Sequence, residues 1–168
     1  MEDVKVSLIE SDFDKKSCDS LDLRMYVLCL KQLSPIDKGI QSCHAVVDYV
    51  RTYGLEHGIV NVWADIDKTL ILLDGGTTSQ MSDAMGLLER LNVDFAAFKE
   101  QDLGDLVTAI AFLVDERVYD IEKYPNFYGL FETDVVSRVE EYNKWLETIG
   151  GVTNLKMREL ICSKRLAR

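Results

Sequence analysis

The fold turns on two neighbouring stretches, MYVLCLK at residues 25–31 and LSPIDKGIQSCHAVVDYV at residues 33–50. The first is an almost unbroken apolar run of aromatic, β-branched and leucine side chains, which predicts a buried strand. The second opens on Pro35, a residue at home just before or at a helix start, and a helix is expected from near Asp37. Ile36, Ile40, Cys43, Val47 and Val50 recur at helical spacing, so they are expected to form its buried stripe. Lys38, Gln41, Ala45 and Asp48 fall on another face, and Gly54 and Gly58 end the helix. A strand running straight into a helix is where many α/β folds keep their chemistry. It is equally where an ordinary helix keeps its cap.

Outward from this pair the alternation continues. KTLILLDGG, 68–76, predicts a second buried strand, and the segment 78–92 a helix with Met81, Met85, Leu88 and Leu91 on its core face. Residues 94–101 and 105–116 predict two more strands, the last with a continuous apolar centre that suits a central place in the sheet. The order β-α-β-α-β-β predicts an α/β fold, a mixed four-stranded sheet with helices packed on it. Residues 4–10 alternate weakly and suit a short strand or an ordered arm. Beyond Glu116 the chain turns aromatic and irregular, then predicts a helix over 134–151 with Val135, Val139, Tyr142, Trp145 and Ile149 on one side, and a last helix to the C-terminus. The expected organisation is an N-terminal arm, 1–23, an α/β domain, 24–116, and a C-terminal helical extension, 117–168, packed on that domain.

Composition limits the function. A chain of 168 residues with 47% hydrophobic content can bury a core within one domain. No apolar run approaches the roughly 20 residues that span a bilayer, and the first residues do not form a secretory signal. A cytoplasmic location is expected, with no membrane partner. Cys18, Cys29, Cys43 and Cys162 are widely spaced and without a CxxC pair, so reduced, partly buried thiols are expected. With only His44 and His57 to join them, no metal site is expected. The net charge of −10 disfavours wholesale nucleic-acid binding. The tail, 155–168, departs from this: Lys156, Arg158, Lys164, Arg165 and Arg168 stand against Glu159, enough for a local phosphate contact.

Several positions carry chemistry on residue type alone. Lys38 and Gln41 lie one turn apart near the unpaired N–H groups of a helix start, a place for an anion or a developing oxyanion. Adjacent Cys43 and His44 point about 100° apart and cannot form a thiolate–imidazolium pair. EQDLGD places Glu100, Asp102 and Asp105 between two strands, where a carboxylate can act as a base or simply form a turn. LDGGTTSQ lacks the lysine of a phosphate loop and reads as a turn with a helix cap.

In order, the strand, KGIQSCHAVVDY at 38–49, and FKEQD with LVTAIAF at 98–112 resemble type 2 peptidyl-tRNA hydrolase over roughly residues 24–116. LSPIDKGIQ and the ending WLETIGGVTNLKMRELI with RLA are similar to a branch of that superfamily found in tailed bacteriophages. The resemblance implies hydrolysis of the ester between a peptide, or an aminoacyl group, and the 3′ ribose of tRNA, without cofactor, metal or covalent intermediate. By position it implies that Asp102 orients or deprotonates water, Lys38 stabilises the oxyanion or binds phosphate, and Thr108 positions the scissile group. Gln41, Cys43 and His44 would contact substrate, Cys43 standing where the family usually has serine. It would place the protein in a host cytoplasm if phage-encoded. Three departures count against activity, one being that the basic surface expected of a tRNA binder is missing from this region. The family lysine lies four residues before the glutamine, a position held here by Asp37, and the loop between Asp102 and Thr108 is short and acidic. The competing expectation is therefore a catalytically silent relative that binds a host protein. A homodimer through an exposed sheet edge is neither required nor excluded. If aromatics of 117–131 cover the cleft, they form a lid.

Overall fold

The computed structural model describes residues 21–54, 58–127 and 135–168. The expected strand at 4–10, Cys18, His57 and residues 128–134 lie outside them. Among the described residues the elements run β1 (Leu23–Leu30), α1 (Pro35–Tyr53), α2 (Gly58–Val62), a π-helical turn (Trp63–Asp67), β2 (Thr69–Gly76), α3 (Thr78–Arg90), β3 (Phe95–Glu100), β4 (Leu106–Asp115), α4 (Glu116–Tyr119), α5 (Val135–Thr148) and α6 (Gly151–Cys162). The fold is mixed α/β. Its four strands lie in the order β2-β1-β4-β3, with β1 parallel to β2 and antiparallel to β4, and β3 antiparallel to β4.

β1 and β4 are central and covered on both faces, which is why each reads as a continuous apolar run. Alternate side chains separate two cores. Tyr26, Leu28 and Leu30 with Ile110, Phe112 and Val114 meet Met81, Ala84 and Leu88 of α3 and Met157 and Ile161 of α6. Met25, Val27 and Cys29 with Ala109 and Ala111 meet Ala45 and Tyr49 of α1, together with Val60 and Trp63. The turn into α3 is the expected one: Thr77 and Gln80 form a reciprocal capping box.

Three expectations are corrected. The face of α1 that packs on the sheet carries Lys38, Gln41, Ser42, Ala45 and Tyr49. The expected buried stripe is turned outward, with Ile36 76%, Ile40 48% and Val47 55% exposed, Cys43 exposed as well, and Val50 half-buried. The cause is local packing. Ala45 of α1 shares a buried cluster with Ala96, Ala109 and Ala111 of the sheet, and hydrogen bonds engage the Gln41 and Ser42 side chains that this contact buries. On α5 the expected apolar side is only partly buried. Ile149 is fully covered, whereas Val139 and Tyr142 are exposed, because Tyr142 and Trp145 pack on Phe127 of the loop rather than on the sheet. The last helix stops at Cys162. Residues after it run extended along the outer edge of β2, where Asp74 N–H donates to the Arg165 carbonyl at 2.8 Å and Ala167 N–H to the Leu72 carbonyl at 2.9 Å.

Candidate functional site

The site is built where β1 ends and α1 begins. Ser34 caps α1, its Oγ accepting from Asp37 N–H at 3.2 Å and donating to the Asp37 carboxylate at 2.6 Å. Asp37 is thus engaged as part of the cap. One residue on, Lys38 is carried to the buried side and is only 7% exposed. Its Nζ donates to an oxygen of Arg168, the last residue of the sequence, at 2.9 Å, and no Asp or Glu side chain pairs with it among the described residues. The ammonium's other two N–H groups have no protein acceptor among the described residues.

Gln41, one turn further, faces the other half of the sheet. Its Nε2 donates to Glu100 at 2.7 Å and its Oε1 accepts from Thr108 Oγ at 3.0 Å. The link joins α1 to β3 and β4 and satisfies a fully buried hydroxyl. Behind it, Ser42 Oγ donates to the Lys38 carbonyl at 2.6 Å and lies 3.1 Å from Cys29 Sγ. Burial pushes the Cys29 thiol up, with Ser42 and Lys38 opposing, so the thiol is held protonated and fits the donor role toward Ser42.

The remaining expected residues sit elsewhere. Asp102 is exposed on a single 3-10 turn, Gln101–Leu103, and makes no hydrogen bond or ion pair among the described residues. Gly104 and Asp105 close the turn at φ 70° and 60°. Cys43 points outward with the apolar stripe. Its serine neighbour Ser42 occupies the inward position, and one residue of helix rotation separates the two. His44 is exposed and stacks on Phe98, ring centroids 4.6 Å apart. It flanks the cluster rather than joining it.

Outside the resemblance, the structure adds a groove at the carboxyl ends of the two parallel strands, where open α/β sheets commonly bind ligands. Its larger lobe, about 670 Å³, is lined by Lys31, Lys38, Asp74, Arg165, Leu166 and Arg168. A smaller lobe, about 270 Å³, adds Gly76, Gln80, Ser163 and Lys164. Of the expected site residues only Lys38 lines this groove. The tail's basic composition was legible in the sequence, but its folding back along β2 was not. The aromatic stretch after β4 does not cover the groove where it is described. Tyr119 lies under Arg24, 3.7 Å from the guanidinium to the ring centroid, at the amino end of β1 and so at the other end of the strand from Lys38. The tail covers Lys38 instead.

Among the described residues no group of three or more His, Cys, Asp or Glu side chains is placed to hold a metal ion, and no helix is long and apolar enough to cross a membrane. No protein-family model and no curated protein matches this chain.

Proposed function

We propose that this protein is a peptidyl-tRNA hydrolase-like α/β protein that cleaves the ester of peptidyl- or aminoacyl-tRNA. The observation that carries the reading is the junction of motif residues: Gln41 bridges to Thr108 while Lys38, one turn away, keeps two ammonium N–H groups for a ligand. The strand order with one parallel pair agrees with a β-α-β-α-β-β chain of that type. The reading requires Asp102, which stands exposed on its own 3-10 turn, to reach a water beside the bound ester, take its proton and so let the hydroxide add to the ester carbonyl. Lys38 stabilises the oxyanion, and collapse releases the 3′ oxygen of the ribose, which takes the proton back from Asp102 as it leaves. Thr108 and Gln41 hold the α1–β4 contact in place, so their part is positioning.

The test is release of peptide from N-acetyl-aminoacyl-tRNA at modest salt. Wild-type turnover that falls about 100-fold in both Lys38→Ala and Asp102→Ala is the expected result. A second reading, a silent relative that binds a host protein, is favoured by the partnerless exposure of Asp102 and by the tail contact on Lys38. Folded wild-type protein without turnover would establish that reading and end the first.

A further inference from the structure

The groove beside Lys38 concentrates positive charge in a chain whose net charge is −10. Lys31, Lys38, Lys164, Arg165 and Arg168 line its two lobes. None of the five makes an ion pair with an Asp or Glu side chain among the described residues. Lys164 donates to the Gly75 carbonyl and Lys38 to an oxygen of Arg168, the last residue of the sequence, and Asp74 accepts from Gly76 N–H at 2.9 Å. Like charges brought together along one groove repel one another, with Asp74 the one side-chain carboxylate lining it. An anion that enters the groove offsets that repulsion.

The tail is what assembles this charge. Main-chain hydrogen bonds of Arg165 and Ala167 to β2 fix the strap, which leaves the side chains of Lys164, Arg165 and Arg168 to line the groove. A tail held only by its own folding would need no cationic side chains there.

We infer that this groove binds an oligophosphate, a ligand carrying at least two phosphate groups, supplied either by a free small molecule or by a nucleic-acid strand. Two adjoining lobes share Lys31, Asp74 and Arg165, so the charge is spread over both lobes rather than focused in one. That distribution suits successive phosphates. The Arg165 guanidinium offers a planar fork for one of them, and the lysines act as point charges for the rest. Elsewhere the acidic body repels the same ligand, which confines binding to this groove. The site shares Lys38 with the proposed hydrolysis but needs neither Asp102 nor Thr108 and no ester.

The experiment titrates the full chain with inorganic pyrophosphate by calorimetry and with a short, fluorescein-labelled, unacylated single-stranded RNA by anisotropy. Either probe is expected to bind with an affinity that falls as salt rises. The double variant Lys31→Glu/Arg165→Glu is expected to weaken binding at least about tenfold, as is Lys31→Gln/Arg165→Gln, should the reversed charges disturb folding. The charge-matched control Arg90→Glu/Lys144→Glu, away from the groove, is expected to retain affinity. RNA binding that pyrophosphate does not displace assigns the strand as the source, and pyrophosphate binding without RNA binding assigns the small molecule. No binding of either probe at millimolar concentration overturns the inference. An equal loss in the control overturns it too, since the charge would then act at long range and not in the groove. Because no ester is present, a failed hydrolysis assay and a failed binding assay report separately.

Discussion

Ala45 is fully covered, while Val47, two positions later on the same helix, is 55% exposed, so a pair of substitutions tests which way α1 faces. A carboxylate at 45 would sit unpaired against Ala109 and Ala111, and Ala45→Asp is expected to cost more than about 4 kcal/mol. Val47→Asp is expected to stay within about 0.5 kcal/mol of wild type. Urea unfolding checks both, and equal losses would contradict the observed facing. The thiols give an independent reading of the same geometry. Cys43 and Cys162 are exposed, whereas Cys29 is buried and its thiol is pushed up by that burial. Maleimide labelling mapped by mass spectrometry is expected to modify Cys43 and Cys162 in the native protein and Cys29 only after unfolding. Periodicity marked an apolar stripe on α1, but the expectation that this stripe is the buried one fails, because spacing alone does not say which face meets the sheet. Hydrophobic pattern assumes that the larger apolar face goes in. Here Ala45 and Tyr49 carry the apolar contact with the sheet, and hydrogen bonds of Gln41 and Ser42 make the polar part of that face buriable.

At the scale of elements, local signals were enough for strands buried on both faces and for the capping box at Thr77. They were not enough for the tail, because pairing of Leu166 with Leu73 spans most of the chain and leaves no mark in residues 163–168 themselves. That pairing is also what covers Lys38 and builds the groove, so the site was the less legible half of the sequence. Ala167→Pro removes the N–H that donates to Leu72 and cannot hold the strap. Trypsin is expected to cut after Lys164 and Arg165 faster in this variant while the remaining fragment stays folded, and unchanged cleavage would mean the side chains alone dock the tail. Arg158 plays the corresponding part for α6. It is buried, donates to the Tyr124 carbonyl at 2.9 Å and Asn126 Oδ1 at 3.0 Å, and also to the Arg117 carbonyl. It thereby ties the segment after β4 to α6. Arg158→Met keeps much of the volume but strands those acceptors, and is expected to lower stability by about 2 kcal/mol in urea unfolding.

Across the whole molecule the polar clusters divide between the two ends of β1. The carboxyl end carries the basic groove and Lys38. The amino end carries a lock, in which buried Glu116 accepts from Lys123 Nζ and from Tyr124 Oη beside Arg24 and Tyr119. The Lys123 ammonium bonded to Glu116 holds its carboxyl below the usual carboxylate range, against the opposing pull of burial. A carboxylate depressed in the folded state adds stability that is complete above its unfolded pKa, near 4.5, and is lost as pH falls through the folded value. Glu116→Gln is therefore expected to lower Tm at pH 7, and the gap to wild type is expected to close as the solution is acidified through that range. Thermal unfolding at a series of pH values measures it. A gap that persists undiminished in acid would assign the loss to packing rather than to the charge. Because the lock and the groove sit at opposite ends of one strand, the same variant is expected to bind pyrophosphate as wild type does at pH 7. Weakened binding there would mean that the two ends are coupled through the sheet rather than built independently on it.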